Sequence, residues 1–313
     1  MEQIDRKLLT KQGYLARALA RMLIGANAEE RIPGVVELAQ NYKVGHGTVQ
    51  EAMRLLEEMG AVRFRRRGAQ GTVAEAARDE VLWYVANVGH LIGSLPLPYS
   101  RRYEGLATAL YALLSEAGIP ISLSYIRGGA RRLEILLRGG SNFAVTSLFT
   151  TEVFLAKHPG ALSVVMNLGP RTYVTEHRLI LADTTKRGLE SGMQVGVDPD
   201  SVDQALITEM ELENVEGEVR LLPMTYTHIL RELEAGRLDA AVWNAEDING
   251  DRFNVVPLSS PKALELSGAN TVAAISVRAD DELSARIVRK HLERDRLLEI
   301  QRDVLGGDEL PRY

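Results

Sequence analysis

Two stretches of the chain, 97 residues apart, repeat one pattern, and this repeat constrains the fold more than any other feature. The first runs Leu136-x-x-Gly139-x-x-Asn142-Phe-Ala-Val-Thr-Ser147, and the second runs Leu233-x-x-Gly236-x-x-Asp239-Ala-Ala-Val-Trp-Asn244. Each predicts a helix that ends at glycine, a turn at Asn or Asp, and a short buried strand that ends at a polar residue. Solenoid repeats are ~20–50 residues long, so two copies this far apart indicate two similar α/β lobes. The alternative is that the pattern simply marks helix ends.

Strands alternate with helices from Glu80 onward, which is typical of an α/β domain. We expect this domain to span residues 80–313, with lobe I formed by 80–181 and 266–313 and lobe II by 182–265. The β-rich segments 173–181 and 271–277 would be the two crossings between lobes, and a long helix over 281–305 would close lobe I. The length of 313 residues is sufficient for this domain and at least one more.

The first 75 residues differ from the rest in charge and in pattern. They contain 12 Lys+Arg and 9 Asp+Glu, whereas the remainder contains 25 and 33. Helical spacing is present over 11–26 and again after Pro33, and a turn over 41–47 follows. Thr48 has the position of an N-cap, and Glu51 completes a capping box for a third helix. The predicted buried stripe of that helix contains Val49, Ala52, Met53, Leu56 and Met59.

A basic hairpin follows the third helix directly. Val62 and Phe64 alternate with arginines, which indicates a strand with one buried face and one basic face. A turn over 68–71 returns the chain at Thr72. This order predicts a winged helix-turn-helix over residues 1–75, whose third helix enters the major groove of DNA while the hairpin contacts phosphates. The candidate DNA-binding residues are His46, Gly47, Thr48, Gln50, Arg54, Arg63, Arg65, Arg66, Arg67, Gln70, Gly71 and Thr72.

The segment over 48–72 closely resembles the GntR-type winged helix, whose pattern T-V-x-x-A-hydrophobic-x-x-L-x-x-x-G … R-x-G-x-G-T is nearly intact. Gly45-His46-Gly47 departs from the Ser-Arg that many such proteins have before Thr48, which affects the expected base preference. The two lobes resemble the type II periplasmic-binding-protein fold. Nearly the whole chain resembles the YhfZ family of GntR-like regulators, on the stretches 95–107, 168–177 and 241–244. The expected fold is α/β with an α+β head.

This resemblance implies a ligand-responsive transcriptional regulator with a cleft between its lobes. Loops after strands line such clefts, often at helix N-termini that favour anions. Arg101 and Arg127 could bind a carboxylate or phosphate and Asp198 an amine, so we expect a small anionic or zwitterionic metabolite. Ser100 and Ser201 have an alternative role as helix caps. The candidates are Pro98, Tyr99, Ser100, Arg101, Arg127, Gly128, Gly129, Ser147, Leu148, Thr150, Asp198, Asp200, Ser201, Tyr226 and Asn244.

The sequence contains no motif for catalysis, for a cofactor or for a metal. Its six histidines are scattered, and no P-loop, nucleophile elbow or dinucleotide fingerprint is present. We therefore expect a protein that is not an enzyme and needs no cofactor. No apolar run approaches the ~20 residues of a membrane span, and no signal peptide is expected, so we expect the protein in the cytoplasm.

We expect a homodimer, since a winged-helix monomer reads only a short half-site. Two alternatives remain open at this point: a small-molecule-binding protein whose head contacts RNA or protein, and an enzyme built on the clamp fold.

Overall fold

The computed structural model describes residues 10–67, 71–248 and 252–313. By contacts between Cα atoms the chain divides into two units. The first contains Met1–Leu91, Ala112–Ser122 and Asp281–Glu293, and the second contains Ile92–Tyr111, Leu123–Asp280 and Arg294–Tyr313. No helix among the described residues is long and apolar enough to span a lipid bilayer.

The first unit begins with a small head of three helices and a three-stranded antiparallel sheet of order β1-β3-β2. Leu15, Leu19 and Leu23 of the first helix are almost fully buried, as are Val49 and Leu56 of the third, because both helices turn one apolar face inward. The elements are α1 (Lys11–Leu23), β1 (Glu30–Ile32), α2 (Val35–Tyr42), α3 (His46–Glu58), β2 (Val62–Arg66), β3 (Thr72–Ala77) and α4 (Asp79–Ala86).

Two expectations for α3 are wrong. The helix begins at His46 with Gly45 as N-cap, so Thr48 lies inside the first turn rather than at the cap. Gly45 has an extended backbone (φ −73°, ψ 154°), which a cap requires and which needs no side-chain oxygen. Met59 is 51% exposed rather than buried, because the helix has already ended at Glu58 and the chain turns at Gly60 (φ 66°).

Helix α11 (Glu282–His291) completes the first unit. The Asp79 carboxylate, at the start of α4, accepts from the Gly25 amide (2.8 Å) and contacts Lys290 Nζ (2.7 Å) and His291 Nε2 (2.6 Å). Gly25 (φ 74°) lies so close to α11 that a Cβ there would approach Arg286 Cβ to 2.6 Å. The residues that end α1 are therefore fastened to both α4 and α11.

The second unit contains two five-stranded sheets with equivalent strand orders, β5-β4-β6-β13-β7 and β10-β9-β11-β8-β12. We call the region of the first sheet lobe I and that of the second lobe II. Lobe I contains β4 (Leu91–Leu95), α5 (Arg101–Glu116), β5 (Ile121–Tyr125), α6 (Gly129–Leu137), β6 (Phe143–Ser147), α7 (Leu148–Lys157), β7 (Leu162–Asn167), β13 (Ala273–Arg278) and α12 (Arg294–Gly306). Lobe II contains β8 (His177–Leu181), β9 (Gln194–Val197), α8 (Val202–Leu212), β10 (Arg220–Pro223), α9 (Tyr226–Glu234), β11 (Ala240–Asn244), β12 (Asn254–Val256) and α10 (Pro261–Asn270).

The sheet of lobe II is buried on both faces. Leu179, Leu181 and Val242 pack in one cluster, while Ile180 and Trp243 pack in another, as the alternation of side chains along a strand requires. The sequence repeat maps onto equivalent places in the two lobes. Each copy provides the central parallel strand, β6 or β11, and those strands end at Ser147 and Asn244 as expected.

The structure corrects the assignment of two segments to lobe I. Strand β8 pairs with β11 and β12, so residues 177–181 belong to the sheet of lobe II rather than to lobe I. Helix 281–305 is two helices, because Leu292 leaves helical geometry (φ −97°, ψ 82°), and α11 belongs to the first unit. Strand membership and helix docking depend on distant partners, which local sequence does not specify.

Candidate functional site

A cleft between the lobes lies within the second unit, at the carboxyl ends of strands β5, β9 and β11. Its cavity is about 70 Å³, well below the ~300–1,000 Å³ of typical small-molecule pockets. A metabolite therefore enters only if the lobes separate.

Arg127, which follows β5 of lobe I, reaches two carboxylates of lobe II. Its Nη1 lies 3.2 Å from Asp198 Oδ2, and its Nη2 contacts Asp200. Asp198 is 1% exposed and Arg127 is partly exposed, so this ion pair lies at the edge of the cleft and joins the two lobes.

Asp198 has a complete set of hydrogen-bond donors. Its Oδ1 accepts from the Asp200 amide (3.0 Å) and its Oδ2 from the Tyr226 amide (2.8 Å), while Arg127 Nη1 approaches both oxygens. A carboxylate has about four acceptor positions, so little capacity is left for a ligand.

Arg132 of α6 is the most deeply buried cation in the cleft wall, with 2% exposure. Its guanidinium donates to the carbonyls of Val145 (2.9 Å) and Ile126 (2.7 Å) and to the hydroxyl of Tyr173 (2.7 Å). These three hydrogen bonds fix the orientation of the guanidinium, and none of the three acceptors is a carboxylate.

Four tyrosines, Tyr99, Tyr103, Tyr173 and Tyr226, face the cleft. The rings of Tyr103 and Tyr173 are 5.0 Å apart, and Tyr226 stacks on Trp243 at 3.6 Å with an 8° interplanar angle. Burial raises the pKa of Tyr103 well above its usual range, with further contributions from Tyr173 and Asp203. The Tyr103 hydroxyl is therefore neutral, and the cleft wall is aromatic.

His177, the first residue of β8, is buried beside Asp203 of α8. Its Nδ1 lies 3.3 Å from Ser267 Oγ, and its Nε2 lies 4.0 Å from Asp203 Oδ2. Burial lowers the pKa of His177, and the Asp203 charge opposes this shift only in part. The imidazole is therefore neutral at pH 7.

A second ionic contact joins the lobes outside the cleft. Arg102 of α5 binds the Glu246 carboxylate, with Nε at 2.9 Å from Oε2, and also contacts the Arg171 carbonyl. Both side chains are largely buried, which reduces screening by salt.

The structure brings together nine of the predicted ligand-binding residues in the cleft wall. They are Tyr99, Arg127, Gly128, Gly129, Thr150, Asp198, Ser201, Tyr226 and Asn244. The Gly128 and Gly129 backbones are covered, since a Cβ on either would lie within 2.9 Å of the Asp200 carbonyl or the Thr150 methyl group.

Six other predicted positions do not line the cleft. Ser147 caps α7 by accepting from the Thr150 amide (3.1 Å). Ser100 accepts from the Tyr103 amide (3.4 Å), so Ser100 has the alternative capping role. Arg101 donates to the Val304 carbonyl (3.2 Å). Pro98 and Leu148 lie outside the wall, and Asp200 acts only through Arg127.

Sequence reasoning missed the other lining residues, which are Pro96, Leu97, Tyr103, Arg132, Tyr173, Val174, His177 and Asp203. Several of them lie on helix faces or on the crossing into β8, not in loops after strands. A usable signal was the arginine between the apolar positions of α6, since a cation at a buried helical position needs fixed acceptors.

In the head, α3 and β2 form one exposed face. Gln50 and Arg54 of α3 and Arg66 of β2 line a shallow groove of about 210 Å³ between the two elements. His46 and Gly47 are exposed in the first turn of α3, whose N-cap residue makes no side-chain hydrogen bond. Thr48 and Gly71 are half-buried, and Thr72 is buried at the edge of the same groove. The predicted contact Gln70 lies outside the described residues.

Three of the five arginines predicted to bind DNA already have acidic partners. Arg54 pairs with Glu51 and Glu58, Arg65 with Glu29 and Glu75, and Arg67 with Glu29. Arg63 and Arg66 are exposed and have no ion-pair partner among the described residues. A phosphate would bind these two arginines without displacing a carboxylate.

Comparison with known proteins covers both parts of the chain. A family model described as the YhfZ C-terminal domain matches residues 79–313, and one described as a helix-turn-helix domain matches residues 27–74. The Escherichia coli (strain K12) protein YhfZ is 31% identical over 313 residues, covering 98% of this chain and 99% of that protein.

Solved structures give the same result. The crystal structure of YhfZ from Shigella flexneri has 31% identity and a TM-score of 0.59, covering 75% of this chain and 97% of that one. A periplasmic substrate-binding protein of an ABC transporter from Coxiella burnetii has 14% identity and a TM-score of 0.46, covering 71% and 99%. The chain thus contains a helix-turn-helix domain over residues 27–74, followed by an α/β domain over residues 79–313 that matches the YhfZ C-terminal domain.

Proposed function

This chain belongs to the YhfZ family, and on that basis we propose that it is a ligand-responsive DNA-binding transcriptional regulator. The observation that carries this proposal is one chain with two sites: an exposed basic face on a helix-turn-helix head and a polar, aromatic cleft between two lobes. The family relationship points to a regulator and not to an enzyme family. On this proposal we expect the protein in the cytoplasm, where an operator would be found.

In the proposed complex the GntR-like head places α3 in the major groove. Gln50 is exposed on that helix, and a Gln amide suits the paired donor and acceptor of an adenine edge. Arg63 and Arg66 on β2 contact phosphates, which contributes affinity without reading sequence. Ligand in the cleft holds the lobes together and changes the DNA affinity of the heads, which is coupling between distinct sites.

The proposed regulator acts as a homodimer, because two heads on a pseudo-palindrome multiply a weak half-site affinity. A groove in the first unit supports an interface with a second copy: Tyr84 is 86% exposed, Met59 is 51% exposed, and Val81 and Val88 line the same groove. A cation and an anion, Arg17 and Glu80, also line it. A two-fold axis through this groove would place Arg17 of one copy beside Glu80 of the other, and the reverse. The surface is therefore complementary to itself.

Sedimentation velocity at micromolar concentration tests the dimer. The wild type is expected as a dimer and Tyr84→Lys as a monomer whose DNA affinity falls. A wild-type monomer at ~100 μM would refute a dimer, whereas an unchanged Tyr84→Lys dimer would move the interface elsewhere.

Fluorescence anisotropy with labelled duplexes tests the DNA-binding face. Arg66→Ala should weaken binding to specific and random duplex alike and reduce the salt slope by about 1. Arg65→Ala is the matched control, since Glu29 and Glu75 already neutralise that arginine, and its effect should be smaller. Gln50→Ala should reduce discrimination at single base pairs by roughly ten-fold or more. Equal loss on specific and random DNA for Gln50→Ala would remove it as a reading residue.

A further inference from the structure

Two carboxylates line the cleft, the buried Asp198 and the half-buried Asp203, and they differ in how many hydrogen-bond donors they have. Asp198 accepts from two backbone amides and from Arg127. Asp203 accepts only from Ser201 Oγ (2.7 Å, on Oδ1) and Asn270 Nδ2 (2.6 Å, on Oδ2). Both of these donors are neutral, and the nearby His177 is neutral as well. Asp203 therefore has acceptor capacity left and, among the described residues, no close cationic partner.

A second acceptor beside Asp203 also lacks a donor. Asn270 is fully buried, and while its Nδ2 binds Asp203, its Oδ1 has no hydrogen-bond partner within the described part of the chain. A buried acceptor without a donor is unfavourable, so such a group indicates a missing partner. Asn270 is not a residue of the cleft wall, so within the cleft the free acceptor positions of the Asp203 carboxylate call for a group with N–H donors.

The surrounding rings suit the same kind of group. Tyr103 and Tyr173 are close enough to Asp203 for its charge to raise the pKa of each, and both rings face the cleft. The faces of tyrosine rings attract cations, and this attraction increases when water is excluded.

The cations of the cleft are already committed. Arg127 is held by Asp198 and Asp200, and Arg132 is fixed by two carbonyls and the Tyr173 hydroxyl. Counting Arg127, Arg132, Asp198, Asp200 and Asp203, the site carries two positive and three negative charges. A purely anionic ligand would enter a site whose charge balance opposes it.

We propose that the cleft recognises an ammonium group bearing N–H donors, which binds the free acceptor positions of Asp203 against Tyr103 and Tyr173. This deepens the proposed function, on which it rests, by naming the chemical class of the effector. Asp203 replaces Asp198 as the amine-binding residue. Because Asp203 lies on lobe II and Tyr103 on lobe I, the ammonium group also links the lobes.

The test uses the full chain carrying Trp83→Phe, so that Trp243, stacked on the cleft residue Tyr226, is the remaining tryptophan. The probes are n-butylammonium and 5-aminopentanoate, each compared with its isostere, 1-butanol and pentanoate. Titration calorimetry and Trp243 emission should show binding of at least one amine that is ~ten-fold or more tighter than its isostere. Equal binding of amines and isosteres, or binding of neither amine, overturns the proposal.

Asp203→Asn should reduce the amine affinity to that of the isostere. Glu213→Gln is the matched control: this carboxylate of lobe II is exposed, pairs with Lys262 outside the cleft wall, and its change should leave amine affinity unchanged. If Asp203→Asn does not fold, Tyr103→Leu, with Tyr103→Phe as its conservative partner, tests the ring instead. Tyr103→Leu should lower the amine affinity, and Tyr103→Phe should retain it. Equal amine affinities of the two variants would overturn the proposal.

The outcome is separable from that of the DNA experiment. Amine binding without operator binding would retain this ligand class and refute the regulator, whereas operator binding without amine binding would refute only the ligand class.

Discussion

Asp79 and Asp198 are both buried aspartates with cationic and amide donors, yet their partners are distributed differently. The partners of Asp79, which are Gly25, Lys290 and His291, all lie in the first unit. Asp198 takes its backbone donors from lobe II and its cation, Arg127, from lobe I. The same chemistry therefore makes a permanent joint in one place and, in the other, a contact that must break when the lobes separate.

The largest effect is expected for Asp79→Asn. Removing one partner of a buried ionic cluster costs about 3 kcal/mol, because Lys290 loses its counter-ion and His291 loses its hydrogen-bond partner. Unfolding followed by Trp83 emission in a Trp243→Phe background should show this loss in the first unit. Glu282→Gln, an exposed carboxylate on the same helix as Lys290 and His291, should have almost no effect. Loss of less than ~1 kcal/mol would show that Asp79 is not the joint described above.

Asp79 also predicts a dependence on acid. Burial raises its pKa, but donors from His291, Lys290 and Gly25 outweigh this and hold the pKa below its usual value. The stabilisation is therefore present above the unfolded pKa of about 4 and is lost as pH falls through the folded pKa. Asp79→Asn should remove this part of the acid destabilisation below pH ~4. If the free energy of unfolding of the variant fell with acid as steeply as that of the wild type, Asp79 would not be its source.

A smaller effect, of about 2 kcal/mol, is expected for Asp198→Asn, because the backbone donors of lobe II lose a charged acceptor. The free energy of unfolding that Trp243 reports in the Trp83→Phe background should fall. The free energy of unfolding that Trp83 reports in the Trp243→Phe background should not. X-ray scattering should show a larger radius of gyration, since the ion pair between lobes is gone. If Asp198→Asn lowered only the unfolding free energy that Trp83 reports, the roles assigned to Asp79 and Asp198 would be wrong.

The second contact between lobes should contribute less. Glu246→Gln keeps the shape of the side chain but removes its charge. This change should lower the free energy of unfolding reported by Trp243 emission by about 1 kcal/mol. Because the side chains of Arg102 and Glu246 are only 12% and 23% exposed, this loss should be less sensitive to ~0.5 M salt than the loss of a more exposed pair. Glu234→Gln, from the more exposed pair with Arg252, is the matched control.

The smallest effect concerns His177. Burial lowers its pKa, so between the folded pKa and about 6.5 the unfolded chain binds a proton that the folded chain does not. Stability should therefore fall as pH drops below about 6.5, and His177→Gln should flatten this slope by under ~1 kcal/mol. Identical pH profiles for both proteins would contradict a buried neutral imidazole.

Local sequence was sufficient for elements whose signals are local. The glycine turns and apolar runs before Ser147 and Asn244 predicted both strand ends, and the basic alternation after Gly60 predicted β2. Strand β8 was assigned to the wrong lobe because its partners, β11 and β12, lie some 60–75 residues away. Asp203 and His177 were missed for the same reason: folding brings a helix and a crossing strand together, and neither contains a motif.

The central claim is that this family member binds a specific operator, and one measurement tests it most directly. Anisotropy titrations at ~150 mM salt would compare a labelled duplex from upstream of the protein's own coding sequence with a scrambled duplex of equal length and composition. The account predicts that the upstream duplex binds at least ~1,000-fold more tightly, as specific regulators do. Equal affinity for the two duplexes would contradict it.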